Sequence, residues 1–192
     1  MVDAARRRAT YDDVLAAPAH LVAELLDGEL SLVPRPAMGH TVVASTLGAE
    51  LGGPFQRGRG GPGGWWILDE PELHLAADVL VPDLAGWRRE RLPSVPASAA
   101  YLELAPDWVC EVSSPATTRL DRVRKLPIYA REGVQHVWLV DPIARTLEVL
   151  ALERGRWTLL LTASDEAPVR AAPFDAIELD LSALWSGVDP NA

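Results

Sequence analysis

The sequence predicts an α/β (α+β) domain: a central mixed sheet flanked by helices, with a β-hairpin near the N-terminus. Three observations predict it. Short apolar runs with strand-like alternation are interleaved with segments whose apolar residues recur every four positions. One helical segment, Thr117 to Arg131, lies between two strongly apolar strand candidates, Trp108–Val112 and Gln135–Asp141, as in a strand–helix–strand unit of a sheet. The 192 residues, 48% of them hydrophobic, suffice for one sizeable core. We therefore expect residues 1–192 to form a single domain.

The elements follow in order. Residues 10–18 open on Thr10, a helix-capping type, and close on Pro18, which suits a short helix. Asp27-Gly28 sits between two apolar stretches, Glu24–Leu26 and Glu29–Val33, a hairpin signal because both turn positions need positive φ. Pro34 and Pro36 end the second strand. His40 to Leu51 reads as a helix with Val43, Leu47 and Leu51 on one face. Residues 52–64 contain seven glycines and two prolines and read as a mobile irregular loop. Trp65–Leu68 and Glu72–Ala76 read as strands on either side of Pro71. Val79 to Trp87 reads as one further strand, irregular at Pro82, which has no N–H for a ladder.

Residues 88–100 are charged, then rich in Pro, Ser and Ala, and suit an exposed loop. After the central strand, helix and strand, Gly133 supplies the helix stop. Thr146–Leu152 and Trp157–Thr162 form an antiparallel pair across Glu153-Arg154-Gly155-Arg156. The tail from Phe174 to Trp185 ends in a short apolar helix. The seven tryptophans fall mostly on strands and are read as core.

Composition narrows the function classes. With one cysteine, Cys110, no disulfide can form within the chain, which suits a reducing compartment. No apolar run approaches the ~18 residues that a membrane helix needs, and the arginines at positions 6–8 are not followed by the apolar stretch of a secretory signal. The expected location is the cytoplasm, away from membranes. The net charge of −9 argues against a protein that coats nucleic acid by bulk electrostatics. It leaves room for a nuclease, whose site is itself acidic. The basic residues are 17 arginines and a single lysine, Lys125. Lysine offers a compact, titratable ammonium that arginine does not, so Lys125 is a candidate chemical group.

Two acids sit within apolar strands: Asp83 after Val79–Pro82, and Glu111 within Trp108–Val112. A carboxylate placed there is costly unless it is paired or binds a metal. Alternation puts Val109, Glu111 and Ser113 on one face, and Trp108, Cys110 and Val112 on the other. Asp121, Lys125 and Tyr129 are spaced by four and share one helix stripe. The spacing leaves two readings open. One is an Asp–Lys surface pair worth ~0.3–0.5 kcal/mol; the other is a lysine aimed at the strand carboxylates. Two carboxylates and an ammonium suit hydrolysis assisted by Mg²⁺ or Mn²⁺, since a hard cation takes oxygen ligands and keeps waters. No zinc-type cluster, P-loop or nucleophile elbow is present.

The pieces Glu24–Glu29, the Pro34/Pro36 pair, His40, Val81-Pro82-Asp83, Pro106 to Pro115, Asp121 to Lys125 with Tyr129, Gly133-Val134, Trp138 to Pro142 and Phe174 to Trp185 occur in an order and spacing that resembles the Uma-type restriction endonuclease family, within the PD-(D/E)XK nuclease superfamily. The resemblance spans nearly the whole chain. It implies a restriction-endonuclease-like core, DNA as substrate, Asp83 and Glu111 as ligands of Mg²⁺ or Mn²⁺, and a lysine as third catalytic group. The superfamily lysine lies two residues after the acid, where this chain has Ser113; Lys125 on the following helix resembles the migrated lysine of the Uma-type pattern. Glu24, His40, Ser113, Asp121 and Tyr129 are expected around the site. Arg57, Arg59, Arg88, Arg89 and Arg91, in loops expected to flank the cleft, are candidates for phosphate contact. A homodimer would match the symmetry of a duplex. The competing reading is a catalytically inactive nucleic-acid- or protein-binding module on the same scaffold, which the acidic charge and Ser113 favour.

Overall fold

A computed structural model describes residues 7–166 and 168–189. Residues 1–6, which carry most of the N-terminal segment read as lacking a secretory signal, lie outside the described residues. Two sheets organise the rest. Helix α1 (Tyr11–Leu15) is followed by the hairpin β1 (Leu21–Leu26) and β2 (Glu29–Pro34). Asp27 and Gly28 both have positive φ, +51° and +81°, as the tight turn requires. The hairpin is the start of an antiparallel four-stranded sheet of order β2-β1-β5-β4, completed by β4 (Leu73–Leu75) and β5 (Asp78–Leu80). The larger, six-stranded sheet has the order β10-β9-β8-β7-β6-β3. Its strands are β3 (Trp65–Asp69), β6 (Leu84–Arg88), β7 (Trp108–Val112), β8 (His136–Asp141), β9 (Thr146–Glu153) and β10 (Arg156–Ser164). Only the β7–β8 pair in it is parallel, so the sheet is mixed.

The β7–β8 crossover is helical, as expected, and runs through α3 (Thr118–Leu120), a π-helical turn (Asp121–Lys125) and α4 (Leu126–Arg131). The wider turn has a local cause. Pro127 has no N–H to return to the helix, and the chain closes the Leu126 N–H onto the Asp121 carbonyl, five residues back, just before it. This crossover covers one face of the large sheet. There Ile128 and Tyr129 pack with Val109, Val137 and Leu139 and with Leu26, Leu73 and Leu80 of the smaller sheet. The other face is covered by α2 (Met38–Leu51) and α5 (Leu181–Trp185), with Val43, Leu47, Leu51, Leu184 and Trp185 against Trp108, Cys110 and Val112. A two-stranded ribbon, β11 (Pro168–Val169) with β12 (Leu179–Asp180), precedes α5. Gly86 has a packing reason: a Cβ there would lie 3.1 Å from the Trp108 ring and 3.3 Å from that of Trp65. Trp65, Trp87, Trp108, Trp138 and Trp185 are buried, in keeping with their reading as core.

Two expectations need correction. Residues 52–64 are not irregular throughout. Gly52–Gln56 form a π-helical turn that extends α2, with Phe55 buried against Phe174 at 4.6 Å between ring centres. Val79 to Trp87 is not one strand. It is β5 and β6, in different sheets, broken at Val81–Asp83. Pro82 lacks the donor that would continue a ladder, and the break places Asp83 at the seam between the sheets. The alternation left open what the Glu111 face of β7 meets: both faces are buried, and Glu111 lies on the side of the second core.

Candidate active site

The carboxyl end of β7, the β5–β6 break, the β1–β2 hairpin, the start of α2 and the π-helical turn meet around one cavity of about 300 Å³. Each contributes a side chain for a local reason. Glu24 is a buried residue of β1 on the same face as Val22, two residues before it, and both line the cavity. Asp83 leaves the chain where the ladder stops. Asp121 and Lys125, one widened turn apart, both face β7.

Lys125 is the centre of the arrangement. Its Nζ lies 2.9 Å from Glu24 Oε1 and 3.0 Å from Glu111 Oε1, and 3.8 Å from Asp121 Oδ1. Its side chain is only 4% exposed. The surface-pair reading of Asp121 and Lys125 is therefore overturned: the lysine is buried among three carboxylates. Burial alone would lower its pKa, but the charges of Glu111, Glu24 and Asp121 hold it well above the ordinary lysine value. The ammonium stays charged.

Glu111 accepts a 2.6 Å hydrogen bond from the Tyr129 hydroxyl. Burial pushes its carboxyl well above the usual range despite Lys125, and burial with the nearby acids pushes Tyr129 up too. Asp121 is raised to about 6, chiefly by burial, with Lys125 opposing. Glu24 Oε1 also accepts the Val81 N–H at 2.8 Å, which ties the hairpin to the segment that carries Asp83. Asp83 Oδ2 accepts the Val112 N–H at 2.7 Å, and its Oδ1 lies 3.1 Å from His40 Nε2. Burial would lower the His40 pKa, but the Asp83 hydrogen bond and charge more than offset it, so it lies above the ordinary value.

The structure thus brings Asp83, Glu111, Lys125, Glu24, His40 and Asp121 to one cavity. Tyr129 reaches it through Glu111. Ser113 is buried, continues the ladder by donating its N–H to the Val140 carbonyl at 2.6 Å, and is not among the residues lining the cavity. Sequence reasoning missed the walls: Val22 and Val33 of the hairpin, and the Pro34–Ala37 approach to α2. The register Val22↔Val33 and Glu24↔Ser31 was readable from the Asp27-Gly28 turn; which sheet the hairpin would join was not.

The arginines expected to flank the cleft do not. Leu84 pairs with Cys110 and Gly86 with Trp108, so β6 runs away from Asp83. Arg88 lies four residues beyond Leu84, roughly 13 Å along the strand at ~3.3 Å per residue. Arg88 and Arg89 lie over the Trp65 and Trp66 rings, Arg89 donates to the Gln56 and Trp65 carbonyls, and Arg91 pairs with Asp107 at 2.8 Å. Arg57 and Arg59 lie between α2 and the start of β3, at that same distant end. Accordingly, Arg89→Ala should lower stability by about 1 kcal/mol through the lost ring contact and carbonyl bonds. Any cleavage rate should stay within about twofold, as chemical denaturation and a rate assay would check.

Asp121 gives a pH signature. A carboxyl at about 6 in the fold, against 3.8 unstructured, makes the folded chain hold the proton more tightly. Stability then declines as pH rises from about 4 to about 6 and stays lower above that. The displacement corresponds to roughly 3 kcal/mol at most. Asp121→Asn should therefore raise the melting temperature at pH 7 in EDTA and change it little at pH 4.

Asp83 and Glu111 offer oxygen donors. With Glu24 and Asp121 they surround Lys125 and His40, while Glu70 and Arg35 line the rim of the same cavity. This surplus of buried negative charge suits a hard divalent cation. Among the described residues no group of three or more His, Cys, Asp or Glu forms a ready ligand set, so such an ion would depend on water and substrate oxygens for the rest of its shell. No helix among the described residues is long and apolar enough to cross a membrane.

Comparison with known proteins agrees with this architecture. The chain is similar to a crystal structure of "a putative nuclease belonging to DUF820" from Anabaena variabilis, with a TM-score of 0.73, 22% identity, and coverage of 93% of this chain and 98% of that one. No curated protein matches the chain. The family described as "Uma2: Putative restriction endonuclease" matches residues 9–182, nearly the whole of the described chain, and to that family the chain belongs.

Proposed function

We propose that the protein is a metal-dependent endonuclease that hydrolyses phosphodiester bonds in DNA. One observation carries the reading. The only lysine of the chain is buried, charged and within 3.1 Å of Glu111 at the floor of an open cavity that also presents Asp83. Glu111 and Asp83 are the side chains that would hold Mg²⁺ or Mn²⁺. The ion, when bound, neutralises phosphate charge and acidifies a coordinated water.

The chain's own groups do the rest. Lys125 donates toward the reacting phosphate oxygens and stabilises the negative charge that grows on them, in a site whose low polarity strengthens the effect. Glu24 and Asp121 hold the ammonium in place and keep it protonated. Tyr129 fixes the Glu111 carboxylate. His40 orients Asp83, whose other oxygen is anchored by the Val112 N–H.

The test is cleavage of supercoiled plasmid and single-stranded DNA with Mg²⁺, Mn²⁺ or EDTA, with Asp83→Ala beside the wild type. Metal-dependent cutting that Asp83→Ala removes is expected. Full activity of the folded Asp83→Ala protein would overturn the reading and leave the inactive binding module in its place.

A further inference from the structure

We infer that the cavity seats one unpaired nucleotide, so that the substrate is single-stranded or locally melted DNA rather than an intact duplex; this rests on the nuclease reading above. The first reason is the wall chemistry. Above the carboxylate floor the cavity is lined by Val22, Val33, Pro36, Ala37, Pro115 and Ala116. The hairpin register places Val22 and Val33 side by side on the same face as Glu24. A phosphate and its water gain nothing from aliphatic walls. A nucleobase or sugar does, because its apolar faces leave water there.

Size is the second reason. A volume of about 300 Å³ is at the lower limit of pockets for small ligands, ~300–1,000 Å³. It admits a single nucleotide unit. A base inside a duplex cannot enter it, since its faces are covered by its neighbours until it is extruded.

Charge is the third. Duplex capture depends on neutralising a dense row of phosphates. The permanent cations lining this cavity are Lys125, held by carboxylates on the floor, and Arg35, 4.0 Å from Glu70 at the rim; His40 is paired with Asp83. The arginines of residues 57–91 lie at the far end of β6, against tryptophan rings or Asp107 in the case of Arg88, Arg89 and Arg91. With a net charge of −9, the chain favours a substrate that brings few phosphates and one exposed base.

The experiment uses the full chain. Cleavage with Mn²⁺ is compared on one sequence presented as a single strand, as a closed hairpin stem, and as the same stem with a three-nucleotide mismatch bubble. In parallel, fluorescein-labelled pentathymidylate is titrated by anisotropy with Ca²⁺ in place of Mn²⁺. Ala116→Trp and Ala37→Trp fill the cavity from two exposed rim positions outside the core. The single strand and the bubble should be cut at least tenfold faster than the closed stem. Each tryptophan variant should lose tenfold or more in pentathymidylate binding while Mn²⁺ binding, read by calorimetry, persists. A closed stem cut as fast as the single strand, or normal binding by both variants, would overturn the inference. If no DNA is cut but pentathymidylate binds and both variants abolish it, the hydrolytic reading falls and the seated nucleotide stands. If nothing is cut and nothing binds, both fall.

Discussion

Lys125→Ala should reduce metal-dependent DNA cleavage by roughly 10³-fold, the scale of losing a preorganised donor to developing charge. It should also change stability in a way that a surface lysine would not. The wild-type ammonium lies within 3.0 Å of both Glu24 and Glu111 and is 4% exposed. Without it, three buried acids face one another unpaired, at a cost of about 3–5 kcal/mol in the ionised state. Glu111 and Asp121, the two that burial already raises, relieve that cost by taking up protons. Glu111, already raised by burial, moves higher still, so the folded variant binds protons that the unfolded chain does not. Stability must then rise as pH falls from the raised folded value toward the unfolded one. Thermal melts of both proteins in EDTA should show the largest deficit at pH 8 and a shrinking one toward pH 5. A deficit independent of pH would mean that Lys125 only packs.

Glu111→Gln should have the opposite balance. Cleavage should fall by roughly 10³-fold, and the calorimetric signal for Mn²⁺ should vanish, since a neutral amide is a poor ligand for a hard cation. The metal-free fold should not suffer. Gln keeps an oxygen for the Tyr129 hydroxyl, which lies 2.6 Å from the carboxylate, and Lys125 retains Glu24 and Asp121. The substitution removes a buried charge whose cost shows in its raised pKa. At pH 7 in EDTA we expect stability unchanged or improved by about 1–2 kcal/mol, a common pattern where function is built at the expense of stability. A strongly destabilised Glu111→Gln protein would make this carboxylate structural instead.

Much of the candidate site was legible in the sequence. Asp83 and Glu111 break apolar runs, and a carboxylate in such a run needs a partner. Lys125 stands out against 17 arginines. Four-residue spacing placed Asp121, Lys125 and Tyr129 on one stripe, and all three do face Glu111 or its partners. Spacing did not reveal whether that stripe was wet or buried, because a helix looks the same from either side until something packs on it. The five loop arginines were misplaced for a related reason: strand direction relative to the site depends on pairing partners remote in sequence, and β6 turned out to run away from it.

The sequence by itself determined the local pieces. These are the Asp27-Gly28 turn, the α2 stripe of Val43, Leu47 and Leu51, the β7–helix–β8 crossover and the residues with chemistry to offer. Each follows from forces acting over a few residues: backbone sterics, side-chain periodicity and the missing N–H of proline. The tertiary structure decided which pieces meet. Residues 79–87 divide between two sheets, so Asp83 lies at their seam. The hairpin joins β5, so Glu24 reaches Lys125 across 101 positions of chain. The floor is acidic and the walls aliphatic because two separately patterned surfaces close on each other. Burial is a property of the assembled layers, and it is burial that raises the Glu111 and Asp121 carboxyls and leaves Lys125 charged only through its carboxylate partners.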